Sequence, residues 1–180
     1  MKQATNGAAV PAANSKMVQP AVLTDAVVKV LNDRIGDEYT AHYYYNAASN
    51  WCKGVGYEKA AAFFAKESMN ELEHAQKIQK YIVDWNALPT IPKVTTTFDF
   101  ANLPEVIEGA YKLEYDLFTK YNKDSQMLFS IDIATFDFLQ EFRQGQTASV
   151  AEYSDLLNAL QLIDVDKRLD ILHFEEMYLG

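Results

Sequence analysis

Cysteine, glycine and proline are scarce in this chain of 180 residues, and long apolar runs and basic patches are missing. The single cysteine, Cys52, rules out an internal disulfide framework and fits a reducing compartment, so a cytoplasmic location is expected. Only seven glycines and five prolines occur, and most lie outside the long periodic stretches, which favours an all-α protein. No run of about 18 apolar residues is present, so nothing is expected to span a membrane. The formal net charge is -9 and no basic patch is visible, which argues against nucleic acid as a partner. Met1 to Pro20 are rich in Ala, Asn and Gln and lack the continuous apolar segment of a signal peptide. Residues 1–21 are expected to form a flexible extension, and residues 22–180 one domain.

What is present is an apolar majority arranged with helical period. The chain is 49% hydrophobic, with 10 Phe and 11 Tyr, which suffices for a sizeable core, and its negative charge suits a protein that attracts cations. A first helix is expected from the cap Thr24 to Cys52, with the stripe Val27/Val28, Leu31, Ile35, Glu38, His42, Tyr45, Ser49 and Cys52. A second runs from Tyr57 to Trp85 and joins it through a short Gly54/Gly56 turn, so the two are antiparallel. Residues 86–101 have no helical period and contain Pro89 and Pro92. Extended, such a stretch reaches about 50 Å, and a helix of about 29 residues is about 43 Å long. This crossover can therefore run the length of a bundle and start the third helix at the same end as the second. That third helix opens at Asn102-Leu-Pro-Glu105 and carries Val106/Ile107, Ala110, Glu114, Leu117, Tyr121 and Leu128, its pattern weakening over Asn122 to Ser125. Asp132 caps a fourth, with Leu139, Phe142, Gln146, Ser149/Val150, Tyr153, Leu157 and Leu160, and a short fifth covers about Asp166 to Leu179. The expected fold is a four-helix bundle with one long crossover between helices two and three and a short C-terminal helix.

Each of the four long helices breaks its apolar stripe with a polar residue near its midpoint: Glu38, Glu71 with His74, Glu114 and Gln146. Any one alone reads as a surface residue or a satisfied core group. Together, in an antiparallel bundle, they meet at one level. Three carboxylates and an imidazole cannot lie together dry without cations, because like charges force protonation. Carboxylate with histidine suits iron, manganese or zinc, and a pair of carboxylate-bridged metals within the bundle is the economical solution. Tyr45, two turns after Glu38 on the same face, can reach such a site.

At these residues the chain resembles the ferritins, specifically the bacterial non-haem type, over about residues 22 to 180. The likeness rests on Trp51-Cys52, Ala60-Ala-Ala-Phe63, Glu71-Leu-Glu-His-Ala75, Leu88-Pro89, Tyr111-Lys-Leu-Glu114 and Thr135-Phe-Asp-Phe-Leu-Gln140 leading to Gln146. The resemblance implies an iron-storage ferroxidase that oxidises Fe(II) with dioxygen and keeps ferric mineral in a shell of its own copies, a 24-mer. It also implies a first iron on Glu38, Glu71 and His74, a second on Glu114 bridged by Glu71, with Gln146 beside it and Tyr45 close by. This chain departs from the pattern in places. No carboxylate stands at Ser149 or Gly145, which thins the second iron site and removes a third; the residue before Glu71 is Asn70. That thinning admits another reading, a cage or scaffold subunit that binds or nucleates mineral without fast oxidation. His42 is either a spare ligand or a hydrogen-bonded core histidine. Asp132 and Asp137 are candidates for an iron entry channel or simply a cap and first turn. Glu73 is a candidate mineral contact, and His173 lies in the short tail helix.

Overall fold

The structure is a computed structural model that describes residues 19–93 and 97–180. The extension expected over residues 1–21 falls, apart from 19–21, outside the described residues. Among the described residues there are five helices and no strand: α1 Asp25–Val55, α2 Glu58–Asp84, α3 Leu103–Ile131, α4 Ile133–Leu160 and α5 Arg168–Tyr178. None is long and apolar enough to cross a membrane.

Local chemistry sets the ends. The Thr24 hydroxyl accepts from Val27 N–H to open α1, and Gly56, at φ 88°, closes it. Asn102 accepts from Glu105 N–H at 2.9 Å while the Glu105 carboxylate accepts from Ala101 N–H at 2.7 Å, so the start of α3 is held from both sides. Asp132 alone separates α3 from α4, and its carboxylate accepts from Thr135 N–H at 3.0 Å. The weak pattern over Asn122 to Ser125 does not end α3. Tyr121, Ser125 and Leu128 stay buried and carry the inner face on to Ile131, while Lys123 points outward.

The crossover follows α1 from one end to the other. Thr90 N–H donates to Asn32 near the start of α1 at 2.7 Å. Phe98 packs edge-on against Tyr44 at 5.1 Å, and Phe100 meets Trp51, near the end of α1, at 6.1 Å. A Cβ at Gly109 would overlap the Tyr44 hydroxyl, so glycine there lets α3 come close to α1. The climb makes α3 parallel to α2 and antiparallel to α1, with α1/α2 and α3/α4 as two antiparallel pairs.

The short α5 closes the end of the bundle where α1 turns into α2. Tyr57 gives α2 no side-chain cap. The buried Glu175 carboxylate supplies one from 115 residues away, accepting from Ala60 N–H at 3.1 Å. Arg168 donates to Val55 C=O at 2.7 Å and lies over the Tyr57 ring. Glu175→Ala should therefore cost about 1–2 kcal/mol, as loss of a helix cap does. Calorimetry on the assembled protein should show the Tm lowered by roughly 2–8 °C.

Candidate metal centre

Midway along the bundle the core turns polar. Glu38, Glu71, Glu114 and Gln146 are buried at 3% exposure or less, each on a different helix, and all four interrupt mainly apolar inner faces. Glu38, Glu71 and His74 each bring one ligand atom to within 4.8 Å of the others. His74 Nδ1 stands 3.1 Å from Glu71 Oε2 and 3.6 Å from Glu38 Oε2. Its position one turn after Glu71 on α2 puts the two side by side. Phe142 of α4 packs edge-on against the imidazole at 5.5 Å. Tyr45, fully buried, donates to Glu114 Oε1. The structure thus brings all six sequence candidates to one level, with the Glu38/Glu71/His74 group tight and the Glu114/Gln146 pair across from it.

The other candidates lie elsewhere or do other work. His42 Nδ1 bonds the Ser68 carbonyl at 2.8 Å and the Ser68 hydroxyl at 2.9 Å, so it joins α1 to α2 as a core histidine. Asp132 is occupied as the α4 cap, and Asp137 is exposed. Glu73 and His173 are exposed, Ser149 is half-buried, and Gly145 has open space where a side chain would begin.

One partner was legible only as a core aromatic. Tyr121 donates to Glu38 Oε1. The signal is the spacing: Tyr121 follows Glu114 by seven residues, as Tyr45 follows Glu38. On antiparallel α1 and α3 the two phenols are exchanged, each serving the carboxylate of the other helix. Arg34, also buried, carries no such signal. It lies over the Tyr121 ring and pairs with Asp37 at 3.0 Å.

The electrostatics are those of crowded carboxylates. Burial, then the charge of Glu38, push Glu71 well above the carboxylate range. Burial alone would raise Glu38 too, but the neighbouring His74 and Glu71 hold it below its usual value. Burial raises Glu114 to about 7 against the hydrogen bonds of Tyr45 and Gln146. Burial would lower His74, yet the adjacent carboxylates of Glu38 and Glu71 lift it to about 10. Glu38 Oε2, Glu114 Oε2 and Gln146 Oε1 are buried acceptors without a hydrogen-bond partner. Buried acceptors are normally satisfied, and oxygens from three helices left open at one level fit a divalent cation.

A cation entering here needs a neutral imidazole and ionised carboxylates, so it must displace the protons on His74 and Glu71 and part of that on Glu114. The sign follows: these groups are raised, their protons are bound at neutral pH, and affinity climbs as pH rises toward 10. Titration with Zn2+ in two buffers of different ionisation enthalpy should show roughly two protons released per first cation, and weaker binding at pH 6 than at pH 8.

The ferritin-like domain family model matches residues 28–163. The chain is similar to a probable bacterial non-heme ferritin-like protein of Haemophilus influenzae, 29% identical over 147 residues that cover 81% of this chain and 89% of that one. It is likewise similar to the bacterial non-heme ferritin of Staphylococcus aureus, 28% identical over 158 residues, 87% of this chain and 95% of that one. Its backbone matches an open pore ferritin from the hyperthermophilic archaeon Archaeoglobus fulgidus with a TM-score of 0.80, covering 87% of this chain and 97% of that one at 22% identity, a likeness of fold. From the four-helix fold with its long crossover to the match over most of its length, the chain belongs to the ferritin-like domain family.

Proposed function

We propose that this chain oxidises Fe(II) with dioxygen at a pair of cation sites inside the bundle and stores the Fe(III) as mineral within a hollow shell of its own copies. The observation that carries this is the set of three buried carboxylates at one level, Glu38, Glu71 and Glu114, with unpartnered oxygens beside His74. Glu38, Glu71 and His74 hold the first iron; Glu114 and Gln146 receive the second, and Glu71 is shared between them. The similarity to bacterial non-heme ferritins favours iron over zinc or manganese.

Iron is substrate here, and the reaction asks for no protein nucleophile. Two Fe(II) ions each give one electron to a single dioxygen. The protein contributes open oxygen ligands, phenols that orient them, and an apolar surround, with Ala75, Ile78 and Phe142 excluding bulk water. Assembly is supported by Phe129, Ile131 and Ile133 at the α3–α4 joint, each more than half exposed and suited to contacts between copies.

A second reading rests on a specific feature. Ser149 and Gly145 bring no carboxylate from α4, so the second cation has one terminal carboxylate and a neutral amide. On this reading the chain is a cage subunit that binds or nucleates mineral without fast oxidation. Anaerobic loading of the metal-free protein with Fe(II), then admission of air, separates the two. Two irons per subunit with rapid growth of ferric absorbance supports the first reading; one or none, with buffer rates, supports the second. Mass photometry run beside it tests the shell, which a particle near 20.4 kDa would rule out.

A further inference from the structure

We propose that Tyr121 and Tyr45 are positioning residues that restrict Glu38 and Glu114 to one ligand oxygen each, and so set which cations the centre accepts. The inference rests on the reading of the bundle centre as a cation site, and it concerns how the ligands are presented.

The geometry is paired. Tyr121 Oη donates to Glu38 Oε1, and Tyr45 Oη donates to Glu114 Oε1. In each carboxylate the other oxygen, Oε2, is the buried atom left without a partner. Both phenols are wedged. Tyr121 is stacked on Phe142, at 5.8 Å between centroids and 16° between planes, and Arg34 lies over its ring at 5.9 Å. Arg34 is itself tied to Asp37 at 3.0 Å and Asp124 at 3.4 Å. Tyr45 is stacked between Phe64 at 6.1 Å and Tyr153 at 6.0 Å. Neither ring can swing away without unpacking the core.

A carboxylate whose Oε1 accepts from a fixed, buried phenol can turn both oxygens toward a cation only by breaking that bond. The phenol would then be left buried and unpaired, which is disfavoured. Glu38 and Glu114 are therefore held monodentate through Oε2. Ca2+ collects six to eight oxygens and draws on bidentate carboxylates. Fe2+, Co2+ and Zn2+ accept fewer ligands and tolerate single oxygens with an imidazole. The phenols thus select for the smaller transition-metal ions.

The test uses the full chain, metal-free, with Co2+ as probe, since its visible bands weaken as the coordination number rises, and with Ca2+ as competitor. Wild type should bind Co2+ with strong visible bands. Tyr121→Phe should still bind Co2+ but with weakened bands, and its preference for Co2+ over Ca2+ should fall by about tenfold. Tyr45→Phe should shift the second Co2+ equivalent in the same way and leave the first alone. Unchanged bands and an unchanged preference in Tyr121→Phe overturn the denticity role while leaving the cation site intact. Wild type that binds no Co2+ overturns the site itself. If Tyr121→Phe does not fold, a crystal structure of Zn2+-loaded wild type decides. Zinc on Glu38 Oε2 alone, with Oε1 still on Tyr121, upholds the inference; a bidentate Glu38 refutes it.

Discussion

The Glu71→Ala variant is expected to oxidise Fe(II) no faster than buffer, a loss of at least roughly 100-fold, since changes merely adjacent to metal ligands already cost 10–100-fold. On the proposed reading Glu71 is the carboxylate shared by both cation sites. It stands beside His74 at 3.1 Å, and its own titration feels both Glu38 and Glu114. Removing it leaves the first iron with Glu38 and His74 and deprives the second of its link to the first. Loss of activity must be told apart from loss of fold, and the charges allow that. A buried carboxyl held far above its usual range opposes folding at neutral pH, because it must keep a proton that the unfolded chain would release. Glu71→Gln keeps the volume and relieves the crowding of Glu38 and Glu114. Its metal-free Tm should therefore equal or exceed that of wild type while its oxidation rate collapses. Glu58→Gln, at the exposed start of the same helix, should change neither. The measurement is the growth of ferric absorbance after mixing with air, beside a melting curve. Oxidation by Glu71→Ala at the wild-type rate would remove the basis for placing the reaction in the bundle.

Glu71 could be found from sequence because period alone exposes it. Phe64, Ser68, Glu71 and Ala75 step by three and four, so a charged residue in the third place must face the core, and it does. Glu38, Glu114 and Gln146 were legible for the same reason. The crossover, too, was readable: a stretch long enough to span the bundle does so, along α1. What period cannot convey is which polar group meets which. Tyr121 sits where any core aromatic would; its spacing from Glu114 repeats that of Tyr45 from Glu38, but spacing does not say that its hydroxyl reaches Glu38 across the bundle. Arg34 neighbours Ile35 and looks like the solvated edge of a stripe, yet it is buried against Tyr121, Asp37 and Asp124. Glu175 caps a helix through Ala60 N–H, 115 positions earlier, and no local pattern marks it. The stretch Asn122 to Ser125 weakens the pattern because its polar residues outnumber its core positions. The helix continues because the core positions that remain, Tyr121, Ser125 and Leu128, keep the three-and-four spacing.

Restoring a carboxylate to α4 should strengthen the second cation site, and Ser149→Glu is the substitution that does it. Position 149 lies three residues after Gln146, so the two share a helix face. Ser149 is only half-buried and leaves Glu114 as the sole terminal carboxylate on that side. A further anionic oxygen should tighten the second equivalent of Zn2+ or Fe2+ by roughly 10–100-fold, since ligand charge count tunes cation affinity over several decades. The same charge is unwelcome without a cation. Glu114 already has its pKa raised to about 7 by burial and by Glu38, and a neighbouring carboxylate must push it further. Metal-free Ser149→Glu should therefore melt below wild type at pH 8, and the gap should narrow near pH 5, where the added group is partly protonated. With saturating Zn2+ the order should reverse, because a tighter ligand stabilises the folded state by its binding free energy. Calorimetric titration gives the two stepwise affinities, and melting with and without Zn2+ gives the crossover. An unchanged second affinity would mean that Glu114 and Gln146 do not face a cation, and the impaired-cage reading would then describe the chain better than the ferroxidase one.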